Sequence, residues 1–166
     1  PIIIFGQSVL KLKSSGYLFE GMKKFLLENN KINNDWNAIN VLSNNASTVG
    51  AYDLDIINNE TLDKVLSNQL ELIFLFGQDN LNIKKKNEFI VYIGTHGDRG
   101  AEMADLILPS AAYTEQDGYY TNLEGNLQLA FKASYPPGEA KEDWEIVNEL
   151  SKNLKGKSLY SNRQEL

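Results

Sequence analysis

Apolar positions along the chain form two kinds of run. The first kind is unbroken and strand-sized. Pro1–Gly6, Leu70–Gly77 and Glu88–Gly94 each carry four or five consecutive apolar residues and close at a glycine. Runs without alternation predict strands buried on both faces, as in a parallel sheet covered by helices. The second kind is periodic. Tyr17, Leu18, Met22, Phe25 and Leu26 recur at helical steps and predict a helix over Gly16–Asn30, with that stripe in the core. Ser14 or Ser15 is placed to cap it, and the Asn-rich run Asn29–Asp35 to end it. Trp36, Ile39, Asn40 and Ser43 extend helical spacing into Ala46–Gly50 and predict a second helix. A short third, Glu60–Gln69, turns Leu62, Val65 and Leu66 inward. The last, Glu139–Leu154, carries Trp144, Val147, Leu150 and Leu154 on one stripe, widened by Ile146, with acidic residues early and Lys155 at the end.

Between these elements, Lys84, Lys85 and Lys86 read as a solvated loop and Ala111–Phe131 as irregular, with Asp105–Gln128 ordered and anchored to the sheet by Leu106, Leu108, Tyr113, Tyr119 and Leu123. Leu106–Pro109 is a short strand ended by its proline, which donates to no ladder. Strands alternating with helices give an α/β, Rossmann-like fold with a mainly parallel sheet, flanking helices and one long irregular segment. Residues 1–155 form a single domain segment, and Gly156–Leu166 a polar, frayed tail.

Composition narrows the function classes. The 166 residues hold 16 Lys and Arg against 22 Asp and Glu, a formal charge of −6. An acidic chain with no basic stripe is a poor match for nucleic acid. The absence of Cys excludes disulfides, thiolate nucleophiles, Cys-bound zinc and iron–sulfur ligation by this chain. No apolar run reaches the ~20 residues of a membrane span. The first residue is Pro, which points to a chain that is processed, trimmed or one piece of something larger.

Candidate chemistry concentrates in Gly94-Thr-His-Gly97-Asp-Arg-Gly100. Glycines after a strand can let backbone N–H groups approach a phosphate, but GxxGxxG is not the dinucleotide fingerprint GxGxxG. A tight connection needing positive φ is the preferred reading. His96, the only His, could join Ser110 or Ser134 in a triad, or Asp98, Glu102 and Asp105 around a metal. No GxSxG elbow supports the first, and the spacings match no known cage. Asp98, Arg99 and Glu102 instead suit exposed pairs that hold the loop. No catalytic, cofactor-binding or metal residue is assigned.

One longer pattern is specific. Ala104-Asp105-Leu-Ile-Leu-Pro109, Glu115, Gly118, Asn122 and Glu124-Gly125-Asn126-Leu-Gln128 resemble the A-D-x-x-L-P…E-x-x-G-x-x-x-N-x-E-G-R-x-Q signature of molybdopterin oxidoreductase-like domains. Gly97-Asp98-Arg-Gly100-Ala, Pro136-Pro137-Gly138 with Glu142-Asp143-Trp144, Asp35-Trp36-Asn-Ala-Ile-Asn40 and Ala51-Tyr-Asp53-Leu resemble one branch. That branch is the C-terminal domain of the largest iron–sulfur subunit of NADH:ubiquinone oxidoreductase, respiratory complex I.

The resemblance implies a structural, non-redox piece of the complex I peripheral arm, on the matrix side of the inner mitochondrial membrane. It implies no cofactor in this chain, with iron–sulfur clusters and FMN in partner subunits, above all a Cys-rich N-terminal counterpart. Asn126 departs from the signature, where Arg is usual, and removes a cation suited to an anionic pterin dinucleotide. Two alternatives stay open: a fragment of an active molybdopterin oxidoreductase, and a stand-alone nucleotide-binding α/β module. The stripe on the last helix predicts that Trp144 is buried, and the first reading implies that a large apolar surface meets a partner chain.

Overall fold

The computed structural model describes residues 2–45, 47–56, 62–81 and 83–166. The fold is mixed α/β with parallel sheets and flanking helices, and its contacts divide into two compact units. One comprises Pro1–Ile57 and Tyr120–Gln128; the other comprises Asn58–Tyr119 and Leu129–Leu166.

In the first unit, β1 (Ile3–Gly6) pairs in parallel with β2 (Ile39–Leu42). A four-residue turn of helix, α1 (Gln7–Leu10), leads to α2 (Ser15–Glu28). The helix therefore lies within two residues of its predicted span. Its packing differs from the prediction. Leu26 is 1% exposed, but Tyr17 is 84% and Phe25 56% exposed. The inward contact is Phe19 on Phe5, with ring centroids 5.5 Å apart. The core is small: Phe5, Leu26 and Ala38. Ser14 stands at the N-cap position without a side-chain cap bond. The Asn-rich run does end the helix. Asn29 Nδ2 donates to the Phe25 carbonyl at 2.8 Å, and Asn30 takes a left-handed φ of 53°. Asn33 Oδ1 then accepts from the N–H groups of Asp35 and Trp36, closing an Asx-type turn.

The helix predicted over Trp36–Gly50 is replaced by β2 and by a short α3 (Thr48–Asp53). Pairing with β1 explains the difference. Ile39 and Val41 are β-branched, and the register Ile3↔Ile39 to Gly6↔Leu42 supplies ladder bonds that a short amphipathic helix could not match.

In the second unit, β3 (Leu72–Phe76), β4 (Phe89–Gly94) and β5 (Leu106–Pro109) form a parallel sheet with β4 central. Residues 90–93 are buried on both faces, as predicted for β4. On one face Leu75, Ile90 and Tyr92 meet Ile83, together with Leu66 of α4 (Leu62–Ser67) and Ala101 and Met103 of α5 (Arg99–Met103). On the other, Val91 and Ile93 meet Ile146 and Leu150 of α6 (Asp143–Lys155). The edge strand β3 is only half covered. Leu72, Phe74 and Phe76 remain exposed, with the Phe74 and Phe76 rings stacked at 6.4 Å.

Inside the segment read as irregular, β6 (Gly118–Thr121) and β7 (Leu127–Ala130) form a two-stranded sheet; of the expected anchors only Leu108 packs on the sheet, while Leu106, Tyr113, Tyr119 and Leu123 are exposed, because hairpin pairing orders the segment instead. The tip turns through Gly125, at φ 82°, and the Asn122 side chain accepts from the N–H groups of Glu124 and Asn126. The last helix starts four residues later than predicted. Glu142 and Glu145 form a reciprocal capping box there, and the left-handed Gly156 closes the other end. Its buried centre is Ile146; Trp144 is half-buried with its indole N–H on Glu142 at 2.9 Å, and Leu154 is exposed. The tail is not frayed: it contains a 3-10 turn, Arg163–Glu165.

Candidate functional site

The carboxyl ends of parallel strands are where α/β folds place ligands, and here the sheet of the second unit ends on a closed polar network. β4 carries Tyr92 into the core at 2% exposure, with its hydroxyl reaching the strand-end loops. That hydroxyl is shared between Asp79 Oδ2 and the main-chain carbonyl of His96, each at 2.9 Å. Burial first, and the neighbouring Asp79 carboxylate second, push the Tyr92 hydroxyl up to about 12. Asp79 uses its other oxygen to accept the Gly100 N–H at 3.3 Å.

The glycines follow from this network rather than from unusual dihedrals. None of Gly94, Gly97 and Gly100 has positive φ, which corrects the reading of a turn that needed it. A Cβ at Gly100 would stand 2.6 Å from the Gln78 carbonyl and 2.7 Å from the Tyr92 ring. A Cβ at Gly94 would also strike Tyr92, whereas one at Gly97 would meet open space. Two of the three glycines therefore leave room for one tyrosine.

The other candidates have separate partners. His96 Nδ1 lies 2.8 Å from Thr95 Oγ1. Ser110 is buried and bonds Asp143 and the Ala111 carbonyl. The Ser134 N–H donates to the Thr114 carbonyl. Asp98 caps α5 by accepting from the Arg99 N–H at 3.1 Å. Among the described residues Arg99 and Glu102 take part in no ion pair, so the loop is held by that cap and by Asp79 instead. Lys85, read as solvated, reaches the Met103 carbonyl at 3.2 Å and Asp105 at 2.6 Å. The Lys85 ammonium, and next the Ile90 N–H, hold the Asp105 carboxyl below the usual range. Among the described residues no three His, Cys, Asp or Glu side chains group as a metal site.

Asp79 and Tyr92 are the residues that sequence reasoning missed. Tyr92 was hidden in an apolar run, although a tyrosine there needs a partner for its hydroxyl. Asp79, two residues past the Gly77 that closes β3, was the available signal. Asn126 makes only local bonds. Its side-chain amide donates to Glu124 Oε2 at 3.1 Å.

Comparison with known proteins gives the family. The molybdopterin oxidoreductase pattern matches residues 1–153. The chain is 46% identical to an NADH-quinone oxidoreductase subunit of Rickettsia bellii, over 100% of this chain and 24% of that protein. It is 39% identical to the NADH-ubiquinone oxidoreductase 75 kDa subunit of Reclinomonas americana, over 100% of this chain and 25% of the relative. Against the mitochondrial 78 kDa subunit of Candida albicans the identity is 40%, over 96% and 22%. The chain spans about a quarter of the length of these relatives. By its sequence pattern, this chain belongs to the molybdopterin oxidoreductase family.

Proposed function

We propose that the chain is a structural, non-redox segment of the peripheral arm of an NADH:ubiquinone oxidoreductase, respiratory complex I. The observation that carries this reading is similarity along the whole chain, at 39–46% identity, to subunits named for that reaction. The parent reaction moves electrons from NADH to ubiquinone. This segment supports it by packing beside the cluster-bearing part, with the clusters and FMN held in partner subunits. The location is the matrix side of the inner mitochondrial membrane. Relatives named as mitochondrial support the organelle, and no helix among the described residues is long and apolar enough to cross a membrane.

The chemistry of the available groups supports a segment without cofactor. A pterin dinucleotide is anionic and needs cations or free N–H donors. Asn126 stands where the family signature has Arg, and its amide is engaged with Glu124. The Gly100 N–H is engaged with Asp79. Both groups are turned to neighbours within the chain, which supports the reading that it holds no pterin dinucleotide.

Exposed apolar side chains support a partner: Ile4, Phe25, Phe74, Phe76 and Phe131 all lie open to solvent. Elemental analysis of the purified assembly tests the reading. Iron without molybdenum or tungsten is expected. One molybdenum or tungsten per chain would replace it with an active molybdopterin oxidoreductase.

A further inference from the structure

Residues 156–166 place one cation back in the fold of the second unit. Gly156, at φ 72°, turns the chain at the end of α6. Asn148 then fixes its return path. The Asn148 side-chain oxygen accepts from the N–H groups of Leu159 at 2.7 Å and Tyr160 at 3.1 Å, and its amide donates to the Tyr160 carbonyl at 2.9 Å. Ser151 adds a bond to the Lys157 carbonyl at 3.0 Å. The 3-10 turn follows, capped by Asn162, which accepts from the Gln164 N–H at 2.9 Å.

From that turn Arg163 joins two distant segments. Its Nη1 lies 3.0 Å from Asp117 Oδ2 and 3.2 Å from Glu142 Oε2. Its Nη2 donates to the Asp117 carbonyl. Asp117 also accepts the Lys132 N–H at 2.7 Å, so it already ties together the two residues that bracket the β6–β7 hairpin. Glu142 is the N-cap of α6.

We propose that residues 156–166 are a clasp that holds the neck of the signature hairpin against the start of α6. The planar fork of arginine suits this task, because it reaches a carbonyl and two carboxylates at once. Lysine would supply the charge but not the fork. Among the described residues, loss of Arg163 leaves Asp117 without a side-chain cation and Glu142 with Lys132 alone, whose Nζ stands 3.9 Å from its other oxygen, so the neck loosens. The family pattern ends at residue 153, before the clasp begins, so this device is outside what the family match describes.

Hydrogen exchange on the full chain, in the assembly from which it is purified, tests the clasp. In Arg163→Met, exchange in peptides covering residues 130–134 and 158–165 should rise about tenfold, while β4 peptides stay unchanged. A chain ending at Gly156 should match that variant at residues 130–134, and Arg163→Lys should fall between it and the parent. Unchanged exchange at residues 130–134 in both Arg163→Met and the shortened chain would overturn the proposal. An equal rise in β4 would overturn it as well, because a clasp acts locally.

Discussion

The Tyr92 hydroxyl meets the Asp79 carboxylate at 2.9 Å, joining the central strand to the loop that follows its neighbour. Tyr92 is buried while Asp79 is half-buried, and the same carboxylate holds the Gly100 N–H. Tyr92→Phe removes the donor and leaves Asp79 with one partner fewer. Because the acceptor is charged, the variant should lose about 2 kcal/mol of unfolding free energy, read by thermal unfolding of the assembly. A midpoint equal to the parent's would show the bond to be incidental.

The same bond sets an alkaline limit. Tyr92 keeps its proton more firmly folded, at about 12, than unfolded, at about 10. Its contribution is therefore complete below pH ~10 and is lost as pH rises towards 12. Tyr92→Phe should flatten that part of the stability profile. A profile that the substitution leaves unaltered would exclude Tyr92 as its source.

Glycine substitutions separate packing from backbone conformation. Gly100→Ala drives a Cβ against the Gln78 carbonyl and should cost about 1–3 kcal/mol. Gly97→Ala meets nothing and should stay within about 0.5 kcal/mol. Equal effects at the two positions, measured by denaturant unfolding, would contradict the packing argument.

This glycine segment shows where sequence reading succeeds and where it stops. β4 was legible because five apolar residues in a row suit a strand covered on both faces, although the same pattern in the edge strand β3 is covered on one face only. β2 was not, because the choice between helix and strand for Ile39–Leu42 depends on β1, more than thirty residues away. The Asp105–Gln128 signature identified the family without revealing its hairpin. The roles of Gly94 and Gly100 required knowing where the Tyr92 ring lies. Spacing alone also placed Trp144 on the buried stripe of the last helix with Ile146 only widening it, whereas sheet contact selects Ile146.

On the acid side, Asp105 matters. Lys85 holds its carboxyl below the ordinary aspartate range, so the contribution is complete at neutral pH and is lost as pH falls through and below about 4. Asp105→Asn should lower the melting temperature at pH 7, and the gap to the parent should narrow with acidification. A gap that does not change with pH would assign the effect to the Ile90 N–H bond rather than to charge.

On α6, Ile146→Ala should cost about 2–5 kcal/mol, because Ile146 fills the space over Val91 and Ile93. Trp144→Phe should cost only about 1 kcal/mol, the bond to Glu142 being its main loss. The reverse order in thermal unfolding would return Trp144 to the core.

The central claim is that this chain works as part of an NADH:ubiquinone oxidoreductase rather than alone. Native purification through a tag on the chain, with mass spectrometry of what is recovered, tests it most directly. The account predicts recovery in stoichiometric amounts with a cysteine-rich iron–sulfur protein, in an assembly that oxidises NADH. Recovery as a monodisperse monomer that unfolds cooperatively, with no such protein attached, would contradict it.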